Sequence, residues 1–216
     1  MLTSKFYSAR ETGSRRLLVV LHGLGDSAAG YEWMPPVLGL PWLNYLLVNA
    51  PDEYYGGFSW YDLAGDPEPG VLRSRQLLNR LLDDLAHRGF PSEETALFGF
   101  SQGCLMTLET GLRYPHRLAA LVGVSGYVLD PHKLLQELSP AASQLRILVT
   151  HGTMDPLIPC AATRQRIEVL RSGGVPIEWR EFPKAHTIDD QQELPLIRRF
   201  LTDAFTVSIG SRSGGS

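Results

Sequence analysis

Short apolar runs alternate with segments of helical spacing along most of this chain. Apolar runs of this kind predict strands that are buried on both faces of a sheet, and they lie at 16–21, 45–49, 96–98, 118–124 and 146–150. A final strand is predicted at 176–182. A further run at 5–8 predicts an edge strand. Helical spacing predicts helices at 31–38, 71–88, 160–171 and 193–204, and one more between 98 and 115. This alternation is typical of an α/β fold, a mainly parallel central sheet with helices on both faces.

A sharp turn is predicted where the strand at 96–98 meets the following helix. The residues from Gly99 to Gly103 read GFSQG, which matches the G-x-S-x-G pattern of a nucleophile elbow. In such an elbow a serine sits on a strained strand-to-helix turn with its hydroxyl above the sheet. The two glycines stand where side chains would clash. Ser101 is therefore the candidate nucleophile.

A serine hydroxyl is a weak nucleophile at neutral pH and needs a base within hydrogen-bond reach. Loops that follow the carboxyl ends of parallel strands share one rim, and His22, His151 and His186 follow predicted strands. The other three histidines, His87, His116 and His132, lie in helical contexts and are expected to face solvent. Elbow hydrolases order their partners as serine, acid, histidine. Only His186 leaves room for an intervening acid, so His22 and His151 are interpreted as loop-shaping hydrogen-bonding residues.

The acid that orients the histidine has several candidates. Asp155 lies just past the predicted strand at 146–150 and is the first choice. Asp130 is the chief alternative, but it directly precedes a proline and a helix, where aspartate usually serves as an N-cap. Asp189 and Asp190 follow His186 and are expected to cap the last helix.

Backbone N–H groups are expected to bind the negative charge that develops on the attacked carbonyl oxygen. One donor should be Gln102, at the start of the helix after the elbow, where the helix dipole favours negative charge. The other should come from the loop after the strand at 16–21. Gly23 and Gly25 let that backbone turn inward, and Leu24 is the chosen donor.

A long loop at about 51–70 shows neither helical nor strand period and carries five aromatic residues. Loops of this length are often lids or binding loops. The rings suit an apolar ligand, or they plug a satellite core under the loop, and the residues leave both interpretations open.

Length and composition narrow the class of protein. The 216 residues suit one domain over 1–207, and residues 208–216 lack apolar content and are expected to form a flexible tail. The net charge of −3 comes without a basic stripe, which argues against nucleic acid and a lipid surface as partners. No signal-peptide core or membrane-spanning run is present, so we expect a soluble, cytoplasmic protein. Of two cysteines, Cys104 is expected to pack against the sheet.

With these motifs in view, the chain resembles the phospholipase/carboxylesterase branch of the α/β-hydrolases, which includes acyl-protein thioesterases and small bacterial carboxylesterases. The resemblance rests on the stretches 22–27, 60–63, 99–103 and 151–159 and on His186. It implies a triad of Ser101, Asp155 and His186, with Leu24 and Gln102 as oxyanion donors. The chain departs from the family pattern in two places, since Cys104 and Ala185 replace glycines.

The resemblance also implies the substrate. An ester or thioester is expected, whose acyl chain lies along the aromatic loop and contacts Trp60, Leu63 and Leu157. We therefore predict a serine carboxylesterase that works through an acyl-enzyme and needs no cofactor or metal. An acyl-protein thioesterase or lysophospholipase with the same triad is the alternative, and a non-catalytic binding protein of this fold is a remote one. The loop aromatics and Leu157 could form an apolar patch for a homodimer.

Overall fold

The computed structural model describes residues 2–210, whose strands and helices follow the predicted alternation. The nine strands are β1 (Ser4–Tyr7), β2 (Leu17–Leu21), β3 (Asn44–Val48), β4 (Asp52–Tyr54), β5 (Gly57–Ser59), β6 (Thr95–Phe100), β7 (Ala120–Val124), β8 (Ile147–Gly152) and β9 (Ile177–Phe182). The six α-helices of this part of the chain are α1 (Met34–Leu38), α2 (Glu68–His87), α3 (Gln102–Gly111), α4 (Pro131–Gln136), α5 (Cys160–Ser172) and α6 (Glu193–Gly210).

Seven strands form one sheet in the order β1-β3-β2-β6-β7-β8-β9. Only β1 is antiparallel to its neighbour, and β2 pairs in parallel with both β3 and β6. The prediction of a mainly parallel sheet is therefore confirmed. From β2 the chain passes to β3 on one side and later to β6 on the other, so the carboxyl ends of β2 and β6 border a crevice where ligands of such sheets bind.

Helices cover both faces of this sheet, as the continuous apolar strands require. In β2, Leu17, Val19 and Leu21 face a core that holds the apolar sides of α2, α3, α4 and α5. Leu18 and Val20 face a second core, built with α1 and α6. Since neither face of the strand meets water, an alternating polar pattern is absent from it.

Two predictions about the chain's organisation were wrong in part. The segment at 51–70 contains a hairpin, β4 paired with β5, and its last residues already belong to α2, which begins at Glu68. The helix α6 runs through Gly210, so residues 208–210 do not belong to a tail. The rest of the predicted tail, 211–216, lies outside the described residues.

Candidate active site

Ser101 occupies the tight turn between β6 and α3. Its backbone has φ 55° and ψ −115°, a conformation that side-chain-bearing residues rarely adopt. A Cβ atom at Gly99 would collide with the carbonyl oxygen of Gly103, and one at Gly103 would collide with that of Leu21. Both glycines thus allow strand and helix backbones to approach each other as the elbow requires.

Three side chains from the carboxyl ends of three strands form one hydrogen-bonded chain. His186, in the loop after β9, has its Nε2 3.0 Å from the Oγ of Ser101. Its Nδ1 lies 2.7 Å from the Oδ2 of Asp155, which follows β8. When Nδ1–H donates to the carboxylate, the lone pair of Nε2 is left to accept the serine proton. The geometry brings together the three residues selected from the sequence.

The Asp155 carboxylate is held in its ionised form. Burial raises its pKa, but hydrogen bonds from the Ile158 N–H, from His186 and from the Leu157 N–H outweigh burial, so its pKa lies below the ordinary value. Its Oδ1 accepts both backbone N–H groups at 2.9 Å, which leaves Oδ2 facing the imidazole. A fixed negative charge at this position stabilises the imidazolium that would form when His186 takes a proton.

The alternative acids lie elsewhere. Asp130 caps α4 and accepts hydrogen bonds at 3.0 Å from the N–H groups of His132 and Lys133. Asp189 accepts from the N–H groups of Gln192 and Glu193 at the start of α6. The capping predictions for Asp130 and Asp189 are confirmed, whereas among residues 2–210 the Asp190 carboxylate accepts no hydrogen bond from α6, so the prediction for Asp190 is wrong.

Two more histidines near the rim shape its loops. His22 is buried, and its Nε2 accepts a hydrogen bond from the N–H of Ala50 at 3.0 Å. The Nε2 of His151 lies 2.9 Å from the carbonyl oxygen of Ile158, within the turn that carries Asp155. Burial lowers the pKa of both imidazoles, which favours their neutral forms. Their interpretation as hydrogen-bonding supports is confirmed, and His87, His116 and His132 are exposed as predicted.

The two predicted oxyanion donors lie in segments that pack against Ser101. A Cβ at Gly23 would lie 3.3 Å from the Cβ of Ser101, so the loop after β2 runs beside the elbow. Within residues 2–210, neither the Leu24 N–H nor the Gln102 N–H donates a hydrogen bond to another protein group. Free donors beside a nucleophile are available to a developing oxyanion.

The side chain of Gln102 has a role that the sequence did not indicate. Its Oε1 accepts from the N–H of Trp60 at 3.0 Å, and its Nε2 donates to the carbonyl of Tyr61 at 2.9 Å. It thereby clamps the segment after the β4–β5 hairpin against the elbow. No signal in the sequence indicated this contact, because the burial of the Gln102 side chain is visible only in the structure.

The prediction that Trp60 contacts the substrate is wrong in this structure. Its side chain has 0 % exposed area, and its indole N–H donates to the carbonyl of His22 at 2.9 Å. Leu63 and Leu157 are instead 56 % and 70 % exposed at the rim. The ring packs inward because the segment around it is tied down on both sides, by Gln102 and by His22.

Cys104 packs beneath the elbow. A Cβ added at Gly123 or Gly126 would meet its side chain, and burial raises the pKa of the Cys104 thiol to about 12. A thiol with so high a pKa carries almost no thiolate at neutral pH. The prediction that it packs against the sheet is confirmed.

Two cavities involve residues of the candidate site, one lined by Leu24 and the other by His186. The first, the hairpin cavity, has a volume of about 600 Å³ and is lined by Leu24, Asp52, Glu53, Tyr54, Tyr55, Ser59, Asp62, Leu63 and Ala64. The second, the Trp33 cavity, has about 460 Å³ and is lined by Asp26, Gly30, Tyr31, Trp33, Val37, Phe100, His186, Thr187, Ile188, Asp190 and Leu194. Both volumes are in the range of small-molecule sites. The Trp33 cavity was not predicted, because its residues are far apart in sequence.

No metal or membrane feature accompanies the site in the part of the chain that is described. Among residues 2–210, no group of three or more histidine, cysteine, aspartate or glutamate side chains could hold a metal ion. Within the same range, every helix is too short or too polar to cross a bilayer.

Comparison with known proteins assigns the family. A family model described as Phospholipase/Carboxylesterase matches residues 5–204. Acyl-protein thioesterase 1 of Schizosaccharomyces pombe is 35 % identical over 159 residues, which cover 66 % of this chain and 69 % of the relative. The crystal structure of esterase PE8 superimposes with a TM-score of 0.84 at 27 % identity, covering 94 % of this chain and 99 % of the esterase. The crystal structure of Arabidopsis thaliana SOBER1 superimposes with a TM-score of 0.80 at 26 % identity, covering 88 % of this chain and 98 % of SOBER1. The chain therefore belongs to the phospholipase/carboxylesterase family of hydrolases, which has the α/β-hydrolase fold.

Proposed function

We propose that this protein is a serine carboxylesterase that cleaves esters of apolar acyl groups through a covalent acyl-enzyme. The observation that carries the proposal is the hydrogen-bonded chain from Ser101 through His186 to Asp155, at 3.0 Å and 2.7 Å. A hydroxyl, an imidazole and an ionised carboxylate in this order are the machinery of nucleophilic acyl transfer.

Each residue has a role in the proposed reaction. Ser101 attacks the ester carbonyl while His186 takes its proton, and the resulting oxyanion binds the N–H groups of Leu24 and Gln102. When the intermediate collapses, His186 returns the proton to the leaving alcohol. Asp155 holds the imidazolium throughout. A water molecule then enters, His186 takes its proton, and the acid is released with Ser101 regenerated.

The acyl chain is proposed to lie in the hairpin cavity. Leu24 lines that cavity, and Leu63 presents an exposed apolar side chain there. Leu157, exposed beside the Asp155 turn, is proposed as a further contact at the rim. Burial removes Trp60 from this set. We place the enzyme in the cytoplasm, acting on a small-molecule ester or thioester.

An acyl-protein thioesterase is the second candidate function. The similarity to the Schizosaccharomyces pombe protein of that name favours it, since the same triad can cleave a thioester. Matched oxygen esters and thioesters of one acyl chain would separate the two functions, because only the leaving atom differs between them.

The test of the proposed function is hydrolysis of p-nitrophenyl esters from acetate to palmitate, with Ser101→Ala as the blank. We expect turnover by the wild type alone, together with labelling of Ser101 by a fluorophosphonate, which reacts with activated serines. Chain-length preference would then separate a short-ester carboxylesterase from an enzyme for long acyl chains. Equal turnover by the Ser101→Ala variant would contradict the proposal. No labelling and no turnover by folded protein would favour a binding protein of this fold.

A further inference from the structure

The two cavities meet different parts of the catalytic machinery. Among the described residues, the proposed oxyanion donor Leu24 lines the hairpin cavity, whereas His186 lines the Trp33 cavity. The imidazole of His186 also packs against the ring of Phe100, with ring centroids 4.9 Å apart, and Phe100 lines the same cavity. The two halves of an ester extend in different directions from the carbonyl carbon, so each cavity suits one half.

The chemistry of proton transfer decides which half lies where. His186 must give its proton to the leaving oxygen or sulfur, and a proton donor acts only within hydrogen-bond reach of its acceptor. The leaving group therefore passes along the imidazole edge and into the Trp33 cavity. The acyl group takes the other direction, past Leu24 into the hairpin cavity.

The walls of the Trp33 cavity are apolar and aromatic. Trp33, Phe100 and Ile188 are partly buried and pack against the core of that sheet face, which supports the cavity wall from behind. Tyr31 is buried behind Trp33, with ring centroids 6.1 Å apart. A leaving group with an apolar body would bury its surface against these rings.

Within the described part of the chain, two aspartates and no lysine or arginine line this cavity. Asp26 and Asp190 line it, and within residues 2–210 neither forms an ion pair with a lysine, arginine or histidine. The Oδ1 of Asp26 accepts the N–H of Ser27 at 2.7 Å, which orients that carboxylate but leaves its charge uncompensated. The hairpin cavity also lacks a cationic lining residue, and of its three acids, Asp52, Glu53 and Asp62, Asp52 pairs with Arg73.

We propose that the Trp33 cavity is the leaving-group subsite and that it selects an alcohol or thiol with an apolar body and a positive charge. This inference rests on the proposed function. Aromatic faces and carboxylates both attract a cation, and the same carboxylates repel an anionic leaving group. In the reaction the bond from Ser101 Oγ to the acyl carbon forms and the carbon–sulfur or carbon–oxygen bond breaks. The proton on His186 goes to the departing atom, and water completes the hydrolysis to the acid.

Three thioesters of one acyl chain test the selection directly. Butyrylthiocholine carries a cationic leaving group, S-(3,3-dimethylbutyl) thiobutyrate is its neutral isostere, and S-butyryl-3-mercaptopropionate carries an anion. Released thiol is measured for each. We expect kcat/KM to fall in that order, by about ten-fold from the cation to the neutral isostere at low ionic strength, since each exposed charge pair contributes about two- to five-fold. Added salt should narrow the difference.

Variants of the two aspartates assign the effect to this cavity. In Asp26→Asn/Asp190→Asn the ratio of kcat/KM for the cationic and neutral thioesters should fall to about one. Asp84→Asn removes a carboxylate from the exposed side of α2, outside both cavities, and should leave the ratio unchanged. A ratio near one in the wild type, or a ratio that persists in the double variant, would overturn the proposal.

A crossed pair of variants tests the division between the cavities. Trp33→Ala should raise KM for bulky leaving groups without shifting acyl-chain preference, and Leu63→Ala should do the reverse. The opposite pattern would assign the leaving group to the hairpin cavity and refute the inference. Failure of the proposed function is distinct, since then neither the neutral thioester nor any p-nitrophenyl ester would be cleaved.

Discussion

The ammonium nitrogen of Lys184 lies 2.6 Å from each carboxylate oxygen of Glu193, and both side chains are buried. Lys184 comes two residues before His186 in the same loop. Its ammonium group also donates to the Thr187 carbonyl at 2.6 Å and to the hydroxyl of Ser125 at 3.2 Å. This pair fastens the histidine loop to the start of α6 and to the end of β7.

The same loop is joined to the turn that carries Asp155. The N–H of Met154 donates to the carbonyl of Lys184 at 3.1 Å. A Cβ at Gly152 would collide with the carbonyl oxygens of Lys184 and Ala185, so only glycine allows this contact. The His186–Asp155 distance therefore depends on backbone contacts as well as on the two side chains.

Loss of one partner of the buried pair should be strongly destabilising. Lys184→Met leaves the Glu193 carboxylate buried without its cation, which costs about 3–5 kcal/mol of unfolding free energy. The double variant Lys184→Met/Glu193→Leu should recover most of this loss, because no isolated charge remains. Urea denaturation at pH 7 measures both, with kcat/KM as a second readout of His186 placement.

The exposed pair Arg171–Glu168 offers a matched control. Its side chains are 47 % and 60 % exposed, so Arg171→Met should cost less than about 1 kcal/mol. If Lys184→Met cost no more than this control, or if the double variant were as unstable as the single one, the buried pair would not anchor the loop.

Asp155→Asn should reduce kcat by about 10⁴-fold, because an amide in place of the carboxylate cannot hold the imidazole in the required tautomer. Asp130→Asn should leave kcat within about two-fold, since asparagine caps a helix about as well as aspartate. Steady-state kinetics on one p-nitrophenyl ester checks both. A comparable loss of kcat in the two variants would show that the role of the acid is not correctly assigned to Asp155.

The stability contributed by Asp155 should depend on pH in the acid range. Its folded pKa is depressed, so the unfolded chain binds more protons below the ordinary aspartate pKa, and stability falls as pH decreases there. The contribution is fully present above the unfolded pKa and is lost as pH falls through the folded one. The Asp155→Asn variant should lack this pH-dependent contribution to the free energy of unfolding. Urea midpoints of both proteins between pH 7 and pH 3 measure it, and parallel pH profiles would contradict it.

Trp60→Phe should lower stability and leave substrate preference alone. The variant keeps most of the buried ring but leaves the His22 carbonyl without its indole donor, at a cost of about 1–3 kcal/mol. Because the ring has no exposed surface, the optimum of the p-nitrophenyl ester series should not move. Thermal unfolding and the chain-length profile are the two measurements. A change in the preferred acyl-chain length without a change in stability would show that Trp60 does contact the substrate.

The part of the site that could be predicted consists of features with local physical causes. The elbow needs glycines on both sides of Ser101 because backbones come into contact there, so its position is visible in five residues. Strands buried on both faces must be continuously apolar, which located most of the sheet. The ends of its parallel strands share a rim, and this singled out His186 and Asp155 before any distance was known.

Tertiary packing decided the features that the local sequence pattern leaves open, namely which way a side chain faces and what surrounds it. A loop aromatic can face either the ligand or the core, and Trp60 faces the core because Gln102 and His22 bind its segment from two sides. In the sequence, Lys184 and Glu193 are two ordinary charged residues, and only the fold brings them together and buries both side chains. The Trp33 cavity joins residues from the loops after β2 and β9, so its shape and its uncompensated carboxylates exist only in the assembled sheet. Sequence thus determined which candidate catalytic groups are present. Side-chain direction and burial depend on neighbours that are distant in the chain, and these determined what surrounds the candidate groups.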